Sequence, residues 1–222
     1  MLENNGQLFI VATPIGNLGD ISLRAKEILG GVDLVLCEDT RVTSKLLARL
    51  ELTPSTMSFH EHTDPAKRQE IIERLKKGAK IALVTDAGTP AISDPGGFLV
   101  KDAVDAGVTV TPIPGASAFV AALSISGFPI DRFTFMGFPP HKKGRQSFFK
   151  EVAEAEHVVV FYESTHRIDK ALEALKDVKK PLVVCRELTK MHETIYRGSA
   201  EEVLQQLGET SMKGEFVIIV GK

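Results

Sequence analysis

The chain has 222 residues, a formal net charge of −2 and two cysteines. A small negative net charge excludes nucleic-acid binding that depends on the net electrostatic field of the whole protein. Any RNA-binding surface must therefore be a local patch. Hydrophobic residues make up 43% of the sequence, enough for one large or two small globular domains. Cys37 and Cys185 each end an apolar run, which is typical of small core residues in a reducing compartment.

The sequence shows no pattern typical of secretion or of membrane insertion. Its first seven residues, MLENNGQ, are acidic and polar, unlike a signal peptide. No apolar run approaches the ~20 residues that are needed to span a bilayer. We therefore expect a cytoplasmic protein with no membrane partner.

The first half of the chain alternates short apolar strands with helices. Strands are predicted over residues 8–12, 32–37, 57–59, 81–84 and 108–112, with helices over 23–29, 43–50, 65–77 and 96–106. Asp20 or Ser22 is expected to cap the first helix, and Gly30-Gly31 to stop it. Strict alternation with short connections predicts a mostly parallel sheet.

The pattern changes after Gly127. Strands are predicted over residues 133–138, 157–162, 182–186, 194–197 and 216–220, with helices over 145–155, 166–176 and 201–207. Two strands in direct succession near the end favour antiparallel pairing, and therefore a mixed sheet. We predict two α/β domains, residues 1–115 and 116–222, with a ligand cleft between them.

Three loops rich in small and turn-forming residues follow strands of the first half. They cover residues 13–20 (TPIGNLGD), 85–97 (TDAGTPAISDPGG) and 113–118 (IPGASA). The carboxyl ends of parallel strands are where α/β proteins bind ligands, and glycines let a ligand approach the backbone. The loops match no phosphate-binding motif and contain no lysine or arginine. They therefore favour a neutral or cationic nucleoside-like ligand over a polyphosphate.

Clusters that pair an acid with a base follow three further strands. They cover residues 38–41 (EDTR), 163–167 (ESTHR) and 186–190 (RELTK). Each cluster alone is consistent with helix capping and surface ion pairs, but three at strand ends favour a shared polar cleft. The basic run at 141–145 (HKKGR) is typical of a solvated loop and is also suited to phosphate contacts.

Neither a metal site nor a covalent nucleophile is expected. His60 and His62 have the spacing of two ligands on a strand, but a third and fourth ligand at suitable spacing are missing. Ser117 lies in PGASA and not in a GxSxG elbow, and both cysteines are predicted to be buried.

Seven motifs together resemble one enzyme family. They are TPIGNLGDIS, CEDTRVTSKLL, LVTDAGTPAISDPG, PIPGASA, FTFMGFPP, FYESTHRI and CRELTKMHETIYRG. In this order they closely resemble the bacterial 16S rRNA (cytidine) 2′-O-ribose methyltransferases, a group within the tetrapyrrole-methylase superfamily of S-adenosylmethionine-dependent enzymes. A tetrapyrrole methylase itself would be expected to carry a GDPxxYG-type loop where this chain has GTPAISD.

The resemblance implies S-adenosylmethionine in the interdomain cleft, a homodimer, and 2′-O-methylation of a cytidine in the decoding region of 16S rRNA in the 30S subunit. By motif, the implied cofactor-binding residues are Pro14, Asp86, Gly88, Thr89, Ile92, Ser117, Ala118 and Phe161. The predicted RNA contacts are Arg41, Lys142, Lys143, Arg145, Arg167 and Lys190. Members of this group usually continue into a basic helical tail, whereas the sequence stops at Lys222. We therefore expect reduced RNA affinity with an intact methyl-transfer site.

Methyl transfer from a sulfonium requires in-line alignment and removal of the hydroxyl proton, but no metal and no covalent intermediate. Glu38, Asp39 and Glu163 are the strand-end carboxylates. We rank Glu163 first as general base because it follows the apolar strand, and we expect Asp39 and Arg41 to orient the substrate. A proton-relaying water is an alternative to all three. A tetrapyrrole-type small-molecule methylase and a non-catalytic ribosome-assembly factor are the alternative functions.

Overall fold

The computed structural model describes residues 6–222. The chain divides into two compact units, Met1–Ser117 and Ala118–Lys222. Within the described residues, no helix is long and apolar enough to cross a membrane.

The first unit contains a five-stranded sheet in which every strand pair is parallel. Its strands are β1 (Gln7–Val11), β2 (Leu34–Cys37), β3 (Thr56–Ser58), β4 (Lys80–Leu83) and β5 (Thr109–Ile113). Its helices are α1 (Leu23–Gly31), α2 (Thr40–Arg49), α3 (Pro65–Lys76) and α4 (Gly97–Asp105). The strand order β3-β2-β4-β1-β5 places β1 and β4 side by side in the sheet. The predicted parallel sheet is confirmed.

Both faces of this sheet are buried, which explains why its strands are continuous apolar runs. On one face, Leu36 and Ile81 pack with Ile71 of α3 and Leu99 of α4. On the opposite face, Val11, Val35 and Ala82 of the strands pack with Leu29 of α1 and Leu47 of α2. Glu38 and Asp39 follow β2, and Asp86 follows β4, so these polar residues lie beyond the buried strands at the carboxyl edge of the sheet.

Capping side chains set the starts of α1 and α2. Ser22 Oγ accepts a hydrogen bond from the Ala25 N–H at 3.0 Å, whereas Asp20 ends a short 3₁₀ helix. Asp39 caps α2 by accepting from the Arg41 N–H at 2.8 Å, so this helix begins earlier than the sequence predicts. Gly30 and Gly31 lie inside the last turn of α1 and not after it.

The second unit contains a mixed five-stranded sheet of order β6-β7-β10-β8-β9. Its strands are β6 (Phe133–Phe135), β7 (Val158–Ser164), β8 (Leu182–Arg186), β9 (Thr194–Gly198) and β10 (Glu215–Val220). Its helices are α5 (Ala118–Ser124), α6 (Arg145–Glu154), α7 (Ile168–Ala174) and α8 (Ala200–Glu209). Only β6 and β7 pair in parallel among the described strands of this sheet. The predicted mixed sheet is confirmed.

Two local features of the second unit differ from the sequence prediction. The apolar segment AFVAALS forms α5, for which no helix is predicted. β6 ends at Phe135 instead of Phe138 because Gly137, with φ of 64°, leaves the extended conformation. Pro139 and Pro140 follow, and a proline has no N–H to donate to a neighbouring strand.

Candidate functional site

The loops after β1 and β4 are joined at the carboxyl edge of the first sheet. The Thr13 N–H donates to Gly88 O at 2.9 Å, and the Gly88 N–H donates to Thr13 O at 3.1 Å. The Thr13 hydroxyl also donates to Thr85 O at 3.1 Å. These three bonds fix the first loop against the second over a sequence separation of about 75 residues.

The loop after β5 joins the same cluster. The Thr89 hydroxyl donates to Ala116 O at 3.2 Å. Gly115 lies so close to the end of β1 that an added Cβ would sit 2.9 Å from Ala12 Cβ. The structure thus brings together all three loops that the sequence singles out.

The second loop contains an unusual density of left-handed backbone. Gly88 and Gly96 have φ of 91° and 133°, and Ala91 and Ser93 have φ of 67° and 61°. Non-glycine residues seldom adopt this conformation, and such strain clusters at ligand-binding sites.

Four carboxylates gather around these loops. The Asp39 N–H donates to Asp86 Oδ1 at 3.3 Å. Burial raises the pKa of Glu38, and the neighbouring Asp86 raises it further. Burial also raises the pKa of Asp86 itself. The pKa of Asp94 is raised to about 6, by burial first and then by Glu38. Sequence reasoning does not single out Asp94, although its place in a strand-end loop with Asp86 is a usable signal.

Asp39 differs from the other three carboxylates because Arg41 pairs with it. Arg41 Nη2 lies 2.6 Å from Asp39 Oδ2, and the bonds from Arg41 lower the pKa of Asp39 to about 2. The Arg41 side chain is 86% exposed. Asp39 is therefore a poor proton acceptor, and the pair presents a guanidinium to solvent.

This edge of the sheet has the chemistry expected for a cationic nucleoside. The hydroxyl of the buried Thr85 lies near Glu38 and Asp94 and interacts with both carboxylates. Carboxylates surround it, and the loops contain no basic side chain. The residues present therefore fit S-adenosylmethionine, whose sulfonium and ammonium groups are positively charged.

The remaining cofactor-binding candidates lie in different environments. Pro14 is half-buried beside Thr13, Ile92 is exposed, and Ser117 is half-buried at the end of the first unit. Ala118 is the first residue of α5. Phe161 of β7 is fully buried, with its ring centroid 5.4 Å from that of Phe148. Its side chain therefore has no free surface for a cofactor in this structure.

Glu163 is the centre of an ion-pair cluster in the second unit. Its side chain is fully buried, and Arg145 Nη2 donates to Oε2 at 3.0 Å. Arg167 Nε lies 3.1 Å from Oε1, which also accepts from the Ser164 N–H at 2.8 Å. Both carboxylate oxygens are thus engaged, and two guanidinium groups are held side by side.

Some of the other residues predicted to contact RNA lie near this cluster, and some do not. Lys142 and Lys143 are exposed just before α6. Lys190 pairs with Glu187 at 3.0 Å and with Glu215 at 2.8 Å. Because Glu215 lies opposite Ser164 in the sheet, Lys190 is at the same end of the sheet as Glu163. Arg41 belongs to the first unit.

The two histidines of residues 60–62 lie with ring centroids 6.3 Å apart. His62 Nε2 is 3.2 Å from Glu61 Oε1, and both side chains are largely exposed. Across the part of the chain that the structure describes, no group of three His, Cys, Asp or Glu side chains is placed to hold a metal ion.

Comparisons with known proteins assign the chain to a family. The family described as Tetrapyrrole (Corrin/Porphyrin) Methylases matches residues 7–204. A protein named Ribosomal RNA small subunit methyltransferase I from Synechocystis sp. is 44% identical over 219 residues, covering 97% of this chain and 78% of that protein. The protein of the same name from Vibrio cholerae serotype O1 is 46% identical over 219 residues, covering 96% of this chain and 76% of that protein.

A solved structure supports the fold independently. Diphthine synthase superposes with a TM-score of 0.74 at 17% identity, covering 98% of this chain and 90% of that chain. At this identity the likeness concerns the fold alone. The fold agrees with the sequence similarity: the chain belongs to the tetrapyrrole methylases and, within them, to the family of ribosomal RNA small subunit methyltransferase I.

Proposed function

We propose that this protein transfers a methyl group from S-adenosylmethionine to the 2′-hydroxyl of a cytidine ribose in 16S rRNA, in the decoding region of the 30S subunit. The observation that carries the proposal is the 44% identity to a protein named Ribosomal RNA small subunit methyltransferase I, over 97% of this chain. The carboxylate-lined loops of the first unit are suited to the positively charged cofactor, and the arginine pair of the second unit is suited to RNA phosphates.

S-Adenosylmethionine, when bound, supplies an electrophilic methyl group on a positively charged sulfonium. The backbone around Gly88 and Thr89 would hold this cofactor, since these groups lie at the joined loops. The carboxylates of Glu38, Asp86 and Asp94 would favour binding of its positively charged groups. Further contacts in this proposal come from Pro14, Ile92, Ser117 and Ala118, whereas Phe161 supports the second unit from its core.

Among the three strand-end carboxylates Glu38, Asp39 and Glu163, Glu38 is the best candidate to accept the hydroxyl proton. Its pKa is raised by burial and by Asp86, which brings it closer to the operating range of a general base. Asp39 is held ionised by Arg41 and suits substrate orientation. Glu163 has both oxygens engaged and its side chain is fully buried, so in this proposal it positions Arg145 and Arg167.

RNA is bound by the cations at the end of the second sheet. Arg145 and Arg167 are both anchored, because each is ion-paired with Glu163 and donates to a proline carbonyl. Lys142, Lys143 and Lys190 add further positive charge, and Arg41 does so from the first unit. Guanidinium groups are well suited to phosphate oxygens.

We also propose that the protein acts in the cytoplasm, where ribosomes are. We propose in addition that it forms a homodimer, whose mass light scattering would report.

Labelled methyl transfer tests the substrate class. The protein is incubated with methyl-labelled S-adenosylmethionine and, in parallel, with 30S subunits or with tetrapyrrole precursors. We expect label in the RNA of the 30S subunit and none in the tetrapyrroles. Label in the tetrapyrroles would establish the small-molecule reaction instead. Tight binding of 30S subunits without transfer would identify an assembly factor on the same fold.

A further inference from the structure

Four aromatic rings form a continuous ladder across the second unit and end at the surface. The Phe119 and Phe135 rings stack with centroids 4.4 Å apart. Tyr162 contacts Phe135 at 5.0 Å and Phe138 at 5.3 Å. The first three residues are half-buried, whereas Phe138 is 51% exposed. About half of the Phe138 side chain is therefore accessible to a partner.

The backbone around Phe138 is fixed on both sides. The Tyr162 N–H donates to Gly137 O at 2.8 Å. Arg167 Nη1 donates to Pro139 O at 3.4 Å, and Arg145 Nη1 donates to Pro140 O at 3.4 Å. The two prolines restrict the backbone further. The ring is consequently held in place before any partner arrives, so little entropy is lost on binding.

The same bonds place Phe138 beside an excess of positive charge. Arg145 and Arg167 share the single carboxylate of Glu163, so the cluster keeps a net positive charge. Each guanidinium has five N–H donors, more than the contacts described above use, and each arginine side chain is 17% exposed. The surface therefore combines an exposed aromatic side chain with donors for anions.

We propose that Phe138 is a stacking platform for an unpaired RNA base, and that Arg145 and Arg167 hold the phosphates next to that base. This inference rests on the proposed function and extends it to the way in which RNA is gripped. Single-stranded RNA is commonly bound by aromatic side chains that stack on bases while basic side chains contact the backbone. The fixed ring and the anchored arginines provide both elements within one segment and its neighbouring strand.

Filter binding to 30S subunits at several salt concentrations tests this role. We expect Phe138→Leu to weaken binding by about 5- to 150-fold, the range that loss of one stacked base produces. The slope of affinity against salt should not change, because stacking releases no counterions. Phe138→Trp should retain binding, because the indole keeps an aromatic face. In contrast, Arg145→Gln should reduce the magnitude of the log–log slope by about 0.7.

Phe98→Leu is the matched control, since Phe98 is an exposed phenylalanine of the first unit, 67% accessible, that stacks beside Arg68. It should bind 30S subunits like the wild type. Wild-type protein that neither binds nor methylates 30S subunits would overturn the proposed function, and the stacking role with it. If the wild type does both, normal binding by Phe138→Leu overturns the stacking role alone. A changed oligomeric state in Phe138→Leu with unchanged RNA affinity would also overturn it, assigning the ring to contact between copies.

Discussion

At the scale of single residues, carboxylates that occupy similar positions after a strand have very different environments in the folded protein. Glu163 follows an apolar strand, and from sequence that position favours a general base. The fold instead buries it between Arg145 and Arg167. Asp94 is not among the residues that the sequence singles out, yet burial in the folded loop, and then the nearby Glu38, raise its pKa to about 6. Both outcomes depend on contacts between residues distant in sequence, which local patterns do not encode.

Substitutions of Glu38 and Glu163 distinguish a residue that accepts the proton from a residue that only positions the neighbouring arginines. In single-turnover methylation with saturating cofactor and 30S subunits, Glu38→Gln should slow the reaction by ~10²–10⁴-fold, as loss of a general base does. Glu163→Gln should keep a near-normal rate at saturation but bind 30S subunits more weakly, because its arginines lose their anchor. It should also lower the free energy of unfolding by about 3–5 kcal/mol, the usual cost of breaking a buried ion pair.

Arg145→Ala provides the control for that comparison, because it leaves the Glu163 carboxylate in place while removing one guanidinium. It should reproduce the loss of RNA affinity seen in Glu163→Gln. A Glu163→Gln protein that is folded and saturated with RNA but inactive, beside an active Glu38→Gln protein, would restore Glu163 as the base.

At the scale of elements, periodicity predicts the strands and helices well because most of them bury an apolar face. All ten strands of the described structure have a counterpart among the predicted segments. α5 escapes prediction because AFVAALS directly follows a loop of small residues and shows no polar face. The order β3-β2-β4-β1-β5 also lies beyond local patterns, since it depends on which strands become neighbours in the folded sheet. The joining of the three loops follows from that order.

A valine at Gly88 tests the role of the joined loops. Gly88 has φ of 91° and exchanges two backbone bonds with Thr13, so a β-branched side chain there must distort the loop. We expect Gly88→Val to lose most of its affinity for S-adenosylmethionine in calorimetry while the circular dichroism spectrum stays native.

Gly107→Val is the matched control for backbone strain. Gly107 has φ of 73°, and an added Cβ would meet open space within 4 Å among the described residues. It lies in the turn before β5, outside the three loops. Both variants should therefore lose some thermal stability, but only Gly88→Val should lose cofactor binding. Equal cofactor affinity in the two folded variants would remove this loop from the cofactor site.

At the scale of the whole molecule, each unit carries a local cluster of charge, and the two clusters are of opposite sign. Carboxylates gather at the carboxyl edge of the first sheet, and an arginine pair with neighbouring lysines lies at one end of the second. The formal net charge of −2 averages over both regions. Overall charge therefore says little about RNA binding here, and the motifs carry more information than the composition does.

Nucleoside analysis of the methylated RNA tests the central claim most directly. The protein is incubated with S-adenosylmethionine and 30S subunits that lack the modification, and the purified 16S rRNA is digested to nucleosides for mass spectrometry. We expect 2′-O-methylcytidine at close to one residue per 16S rRNA molecule, with the methyl group on the ribose. A methyl group on a base, or on the ribose of a nucleotide other than cytidine, would contradict it, as would unmodified RNA from a protein shown to bind the cofactor.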